Sequence, residues 1–212
     1  MSDRIINLKE IKKLIENIDK ERVLIITGKN SFFKTGANKI FLKILEKKKF
    51  RIFFKNSYLP EFKELSEILE IKKNFSPNLI IAIGGGCSMD LAKITSVING
   101  GKNLKNKLIN SQFEKFKTKV LAIPTTAGSG AEVTSNAVIY INNFKYSVEG
   151  KKVKPNYYYL LPKLILSSGK KLDATAGFDA ISQSIESIFS IKSNKESISY
   201  ASKALKILIK NY

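Results

Sequence analysis

The sequence predicts an α/β protein: a parallel, doubly wound sheet, followed by the start of an all-helical region. Three observations carry this. Strand-like and helix-like segments alternate through the first half of the chain. The apolar run Leu79-Ile80-Ile81-Ala82-Ile83 breaks off in Gly84-Gly85-Gly86, and Met89, Ala92 and Val97 then recur at roughly helical spacing. A second apolar run, Val120-Leu121-Ala122-Ile123, opens into a loop of small and hydroxyl residues, Pro124 to Gly130. Fully apolar strands separated by helical patterns are what a sheet covered on both faces requires.

In chain order, residues 8–22 place Leu8, Ile11, Leu14, Ile15 and Ile18 three and four apart, which predicts a helix. Residues 23–27 are a buried strand. Residues 38–48 form a helix with Ile40, Phe41, Ile44 and Leu45 inward, and residues 50–54 a second strand. Residues 61–73 form a helix opened by Pro60, whose fixed φ suits a helix start. After the glycine-rich turn and its helix, residues 99–119 are polar and lysine-rich and read as a loop or insertion. Residues 138–141 and 145–148 flank Asn142-Asn143, a hairpin signal. Residues 164–166 read as the last strand. From Lys171 the pattern is helical, with Ala180, Ile181, Ile185, Ile188 and Phe189 on one stripe. A second helix follows from about Glu196 to Ile209, with Tyr200, Ala204, Leu205 and Leu208 inward. This divides the chain into an α/β domain, residues 1–165, and a helical region, residues 166–212.

The 212 residues suffice for one good core, or for one domain plus part of another. No apolar run is long enough to span a bilayer, and the N-terminus lacks the layout of a signal peptide. One cysteine excludes an internal disulfide and fits a reducing cytoplasm. The net charge of +19 invites a nucleic-acid reading, but the cations are overwhelmingly lysine and arginine is almost absent. Bidentate recognition of phosphates and bases favours arginine. The reading is therefore against nucleic acid and for a small anionic substrate.

The segment GGGCSMDLAK, Gly84 to Lys93, places a bare backbone at a helix N-terminus. Unsatisfied N–H groups and the positive end of the helix dipole attract phosphate there, and glycines let it approach. A tight turn without a ligand is the alternative. The loop Thr125 to Thr134 offers hydroxyls that donate and accept, as ribose and phosphate oxygens require, or else is an ordinary surface turn. Two such loops, each after a buried strand, read as two lips of one crevice.

The segments AIGGGCSMDLAK, IPTTAGSGAEVTSNAVI and TAGFDAISQSIES together resemble, in order, three signatures of the iron-containing (group III) alcohol dehydrogenases. The resemblance runs from about Val23 to the end. It implies a dehydroquinate-synthase-like fold: a Rossmann-like dinucleotide-binding domain, then a helical domain carrying a divalent metal, iron or zinc. It also implies interconversion of alcohols with aldehydes or ketones using NAD(H) or NADP(H). The family's helical domain is far longer, so the chain is expected to be a C-terminally truncated member. Uncovered helix faces then predict self-association, a homo-oligomer or aggregate.

By this resemblance Gly85, Gly86 and Cys87 cradle the pyrophosphate, with Cys87 where the family usually has serine. Asp90 falls on the family's aspartate; its alternative role is dipole stabilisation in the first helical turn. Lys93 is the last residue of the motif, or else part of a solvated lysine-rich face. Thr125, Thr126, Ser129, Asn136 and Lys145 match positions that contact the cofactor's phosphates, ribose and nicotinamide end. Gly28, Lys29 and Ser31 stand where NAD-preferring relatives often place an acid. Its absence beside a cation and a hydroxyl favours NADPH over NADH, unless the segment is merely a strand-ending turn. Asp179 matches a metal ligand, and Gln183, four residues on, replaces its histidine partner. The chain has no histidine. Gln183 and the residues after it look similar to phosphonoacetaldehyde reductases, implying reduction of phosphonoacetaldehyde to 2-hydroxyethylphosphonate. The rival expectations are a non-catalytic nucleotide-binding remnant, a metal-free lyase on the same fold and a basic nucleic-acid-binding protein.

Overall fold

The computed structural model describes residues 3–17, 22–115, 117–166 and 169–211. Its strands are β1 (Asp3–Ile5), β2 (Arg22–Gly28), β3 (Lys49–Lys55), β4 (Leu79–Gly84), β5 (Lys119–Pro124), β6 (Asn136–Ile141), β7 (Phe144–Glu149) and β8 (Tyr157–Tyr159). Six of them form one sheet in the order β1-β8-β5-β4-β2-β3, with every neighbouring pair parallel. The helices are α1 (Leu8–Glu16), α2 (Lys29–Phe33), α3 (Ala37–Ile44), α4 (Phe62–Phe75), α5 (Gly86–Val97), α6 (Leu104–Ile109), α7 (Pro162–Ile165), α8 (Lys170–Phe189) and α9 (Lys195–Asn211).

The apolar runs of the sequence become the sheet's centre. Val23 to Ile26, Leu79 to Ile83 and Val120 to Ile123 are completely buried. Because side chains alternate across a strand, each run feeds two cores. Leu24, Ile26, Ile80, Ala82, Val120 and Ala122 pack with residues of α4, α5 and the β6–β7 hairpin. Val23, Ile25, Ile81, Ile83, Leu121 and Ile123 pack with α1 and α3 on the opposite face. After β3 the chain crosses back over β2 to place β4 on its other side. The winding direction reverses there, opening a crevice beyond the carboxyl ends of β2 and β4.

The hairpin forms where the asparagine pair predicts it. Asn142 and Asn143 adopt φ 51° and 67°, which suits a two-residue turn joining twisted strands. The first helix ends at Glu16, capped at Asn17, and residues 18–21, including Ile18, lie outside the described residues. The last strand is not 164–166. Pro162 starts the short helix α7, and Tyr157–Tyr159 is the strand, paired with β1 and β5. Within the expected loop 99–119, Leu104 and Leu108 sit one turn apart and bury together, making α6. On α9, Ala204, Leu205 and Leu208 are half-buried, but Tyr200 is exposed, because α8 covers only part of the face.

Candidate functional site

The turn between β4 and α5 and the loop after β5 meet beyond the sheet's carboxyl edge. Gly84 pairs in register with Pro124, and the Thr125 N–H donates to the Gly84 carbonyl at 2.9 Å. That bond carries the contact past the strands. A Cβ placed on Gly85 would lie 3.2 Å from Thr126 Oγ1, and one on Gly86 would lie 3.3 Å from Ser129 Oγ. Side chains at 85 and 86 would therefore fill the space between the two lips. Thr125 is buried, Thr126 half-buried and Ser129 exposed, so hydroxyls line the gap at graded depth. Gly85 caps a twelve-residue helix without any side-chain hydrogen bond, and the Ser88 N–H donates to the Gly85 carbonyl at 3.1 Å, so no cap side chain competes for the N–H groups before Ser88.

Gly84 is a structural glycine. Its φ is 153°, and a Cβ there would sit 2.6 Å from Ser88 Oγ. The same point lies 3.6 Å from Ser31 Oγ, which brings the start of α2 against the glycine turn. Gly28 ends β2 next to Ser31, and Lys29 is exposed at the first position of α2. Lys55, unmarked in the sequence reading, pairs in register with Gly28. Cys87 is half-buried, and its thiol donates to the Tyr58 carbonyl at 3.0 Å. Burial pushes this thiol up, against the pull of the Lys55 ammonium.

Asp90 and Lys93 correct two expectations. Asp90 lies in the second turn of α5, beyond the strongest part of the helix dipole. Lys93 is not on a solvated face: it is completely buried. Its ammonium donates to Thr134 Oγ1 at 2.9 Å and to the Asn136 carbonyl at 2.7 Å, and lies 3.9 Å from Asp90 Oδ1. Asp90 in turn accepts from the Val138 N–H and feels the Lys145 cation. Burial raises the Asp90 carboxyl to about 6, with Lys93 opposing. Burial lowers the Lys93 ammonium to about 8, with Asp90 and Glu132 opposing. This pair fastens α5 to the end of the threonine loop and to β6, whose first residue is Asn136, with Lys145 on the paired strand β7. Both side chains are exposed there.

Asp179 and Gln183 share one exposed face of α8, and the Gln183 amide donates to Asp179 Oδ2 at 2.8 Å. Helix α8 is seated on the second lip: a Cβ on Gly128 would fall 2.6 Å from the Ala176 carbonyl oxygen. One carboxylate and one amide do not fit an Fe²⁺ or Zn²⁺ site, which wants imidazole or thiolate and three or more protein ligands. Among the described residues, no cluster of three or more His, Cys, Asp or Glu is placed to add to them. Nor is any helix among them long and apolar enough to cross a membrane.

Comparison with known proteins agrees with this architecture. An alcohol dehydrogenase of Thermococcus barophilus is 30% identical over 159 residues, spanning 71% of this chain and 42% of that protein. An NAD-dependent methanol dehydrogenase of Bacillus methanolicus is 29% identical over 208 residues, spanning 95% of this chain and 54% of that protein. The crystal structure of an iron-containing alcohol dehydrogenase from Thermotoga maritima superposes with a TM-score of 0.88 at 30% identity. It covers 99% of this chain and 60% of its own. The chain thus spans about half the length of these relatives. The family model for iron-containing alcohol dehydrogenase matches residues 6–165, a stretch that includes the sheet, the glycine turn and the threonine loop; the chain belongs to the iron-containing alcohol dehydrogenase family.

Proposed function

We propose that the crevice binds a nicotinamide dinucleotide, NADPH in preference to NADH, for reduction of a small anionic aldehyde to its alcohol. The observation that carries this reading is the packing of Gly85 on Thr126 and of Gly86 on Ser129, a cradle that any Cβ would fill. In this reading the backbone at Gly85, Gly86 and Cys87 holds the pyrophosphate. Thr125, Thr126, Ser129, Asn136 and Lys145 orient the ribose and nicotinamide end, with Asp90 positioning them through β6. Gly28, Lys29 and Ser31 receive the adenosine end. The bound dinucleotide supplies the hydride.

The proposed substrate is phosphonoacetaldehyde, which would yield 2-hydroxyethylphosphonate. A chain of net charge +19 favours such an anion, and the Gln183 substitution agrees with that subgroup. The same charge, carried almost entirely by lysine, is read as serving this substrate and not a nucleic acid. Asp179 and Gln183 are left without a metal-dependent step. They favour a second reading, a nucleotide-binding protein that turns nothing over.

Titration of the purified chain with NADPH and NADH, followed by nicotinamide fluorescence, tests the main reading. Saturable binding in the micromolar range is expected, tighter for NADPH. Absence of binding at millimolar dinucleotide would overturn both readings. Binding with no phosphonoacetaldehyde-dependent NADPH oxidation, with or without added Fe²⁺ or Zn²⁺, would select the second.

A further inference from the structure

We propose that Lys55 is the residue that reads the 2′-phosphate of an NADP-type dinucleotide; the proposal rests on the dinucleotide reading above. Lys55 closes β3 and lies in register with Gly28 across the β2–β3 ladder. Its aliphatic stem passes 3.9 Å from the point a Gly28 Cβ would occupy, and Ser31 Oγ lies 3.7 Å from the same point. The bare backbone of Gly28 is therefore flanked by a lysine and a hydroxyl. Ser31 also borders Gly84, so this flank is continuous with the glycine turn.

The turn that carries Lys55 is held from two sides. Glu64 Oε1, buried at the start of α4, accepts from the N–H groups of Asn56 at 2.6 Å and Ser57 at 2.9 Å. The Ser57 hydroxyl donates to Glu61 at 2.7 Å, and the Cys87 thiol of α5 donates to the Tyr58 carbonyl. The Lys55 ammonium donates to the Ser57 carbonyl, which uses one of its three N–H groups. None of the ion pairs among the described residues involves Lys55. A cation outside these ion pairs, on a stem that flanks a bare glycine and its neighbouring serine, suits a phosphate dianion. A ribose diol would instead need an acidic acceptor; Glu64 is buried beneath the turn, its Oε1 committed to the turn's backbone and its Oε2 buried without a hydrogen-bond partner among the described residues.

The test measures NADPH and NADH affinity, together with 2′,5′-ADP and 5′-AMP, on the full chain and on Lys55→Met, Lys55→Arg and Gly28→Asp. Thermal melts confirm that each variant is folded. Lys55→Met is expected to weaken NADPH and 2′,5′-ADP by about tenfold or more, as loss of a charge-assisted contact does, and to leave NADH and 5′-AMP within about twofold. Lys55→Arg should restore most of the NADPH affinity. Gly28→Asp should shift the ratio the same way as Lys55→Met, because its carboxylate neutralises the ammonium and repels the phosphate. Equal losses for NADPH and NADH would assign Lys55 to the pyrophosphate and overturn the proposal. So would an unchanged NADPH-to-NADH ratio. In both cases binding by the unaltered chain survives and the dinucleotide reading stands. If the unaltered chain binds neither dinucleotide, both readings fall together.

Discussion

Gly84 and Gly86 stand two residues apart and are glycines for different reasons. Gly84 combines a left-handed φ with a Cβ position 2.6 Å from Ser88 Oγ, so any side chain there strains the fold. At Gly86 a side chain would meet the exposed Ser129 at 3.3 Å and only touch the Ala131 Cβ at 4.0 Å, and the added atoms would occupy the crevice. Gly86→Val is therefore expected to lower NADPH affinity by about 100-fold or more while leaving the melting temperature nearly unchanged, since its effect is on binding geometry. Gly84→Ala is expected to lower the melting temperature first. Equal thermal losses for the two would sink the distinction. The buried Asp90–Lys93 pair makes a second prediction. Asp90 is raised to about 6 from an ordinary 3.8, so the folded state binds the proton more tightly between those values. Its contribution to stability is full below about 3.8 and is lost as pH rises to about 6. Lys93 is lowered to about 8 from 10.5, so its contribution is full above about 10.5 and is lost as pH falls through 8. Urea midpoints of the native chain, minus those of the Asp90→Asn/Lys93→Met double variant, should fall from pH 4 to 6 and rise from pH 8 to 10. Parallel curves would show that the pair is not titrating as its burial demands.

At the scale of elements, the threonine loop meets α8 backbone to backbone. A Cβ on Gly128 has the Ala176 carbonyl at 2.6 Å, and a backbone atom cannot swing aside as a side chain can. Gly128→Ala is expected to cost about 1–3 kcal/mol in urea denaturation, the usual scale of overpacking. Gly130→Ala provides the comparison: φ is +59° there, with open space within 4 Å, so only backbone strain of about 1–2 kcal/mol applies. A Gly128→Ala loss smaller than that of Gly130→Ala would argue against a seated α8. The central strands and the glycine turn were legible in the sequence because unbroken apolar runs of strand length, bounded by turn residues and separated by helical patterns, mark buried parallel strands. The strands β1 and β8 were not, since three residues carry no readable period. Helix α6 hid in a lysine-rich segment whose pattern rests on two leucines. The two lips of the crevice were legible as loops, but Lys55 was not, because its place beside Gly28 depends on strand order. Lys93 misled on composition: in a lysine-rich chain only the tertiary structure separates a buried lysine from a solvated one.

At the scale of the whole molecule, two features pull in opposite directions. A net charge of +19 keeps copies apart at low ionic strength, where screening is weak. Helices α8 and α9 pack on each other yet leave Phe178, Phe189, Tyr200, Ile207 and Ile209 exposed, Phe189 at 82%, and Ile191 is exposed in the turn between them. Apolar groups gathered on one helical pair favour association roughly in proportion to the area they can bury. Repulsion is screened by salt, whereas apolar association is not weakened by it, so the balance must tip with ionic strength. Light scattering of the purified chain is therefore expected to show a particle mass above 23.8 kDa that grows between about 0.05 and 0.5 M salt, where the screening length shortens severalfold. The double variant Phe189→Glu/Ile207→Glu should reduce that growth while leaving dinucleotide affinity within about twofold, since neither residue borders the crevice. A monomer at every salt concentration would mean that the exposed stripe is too dispersed to drive association. Growth that is unchanged in the double variant would place the adhesive surface elsewhere.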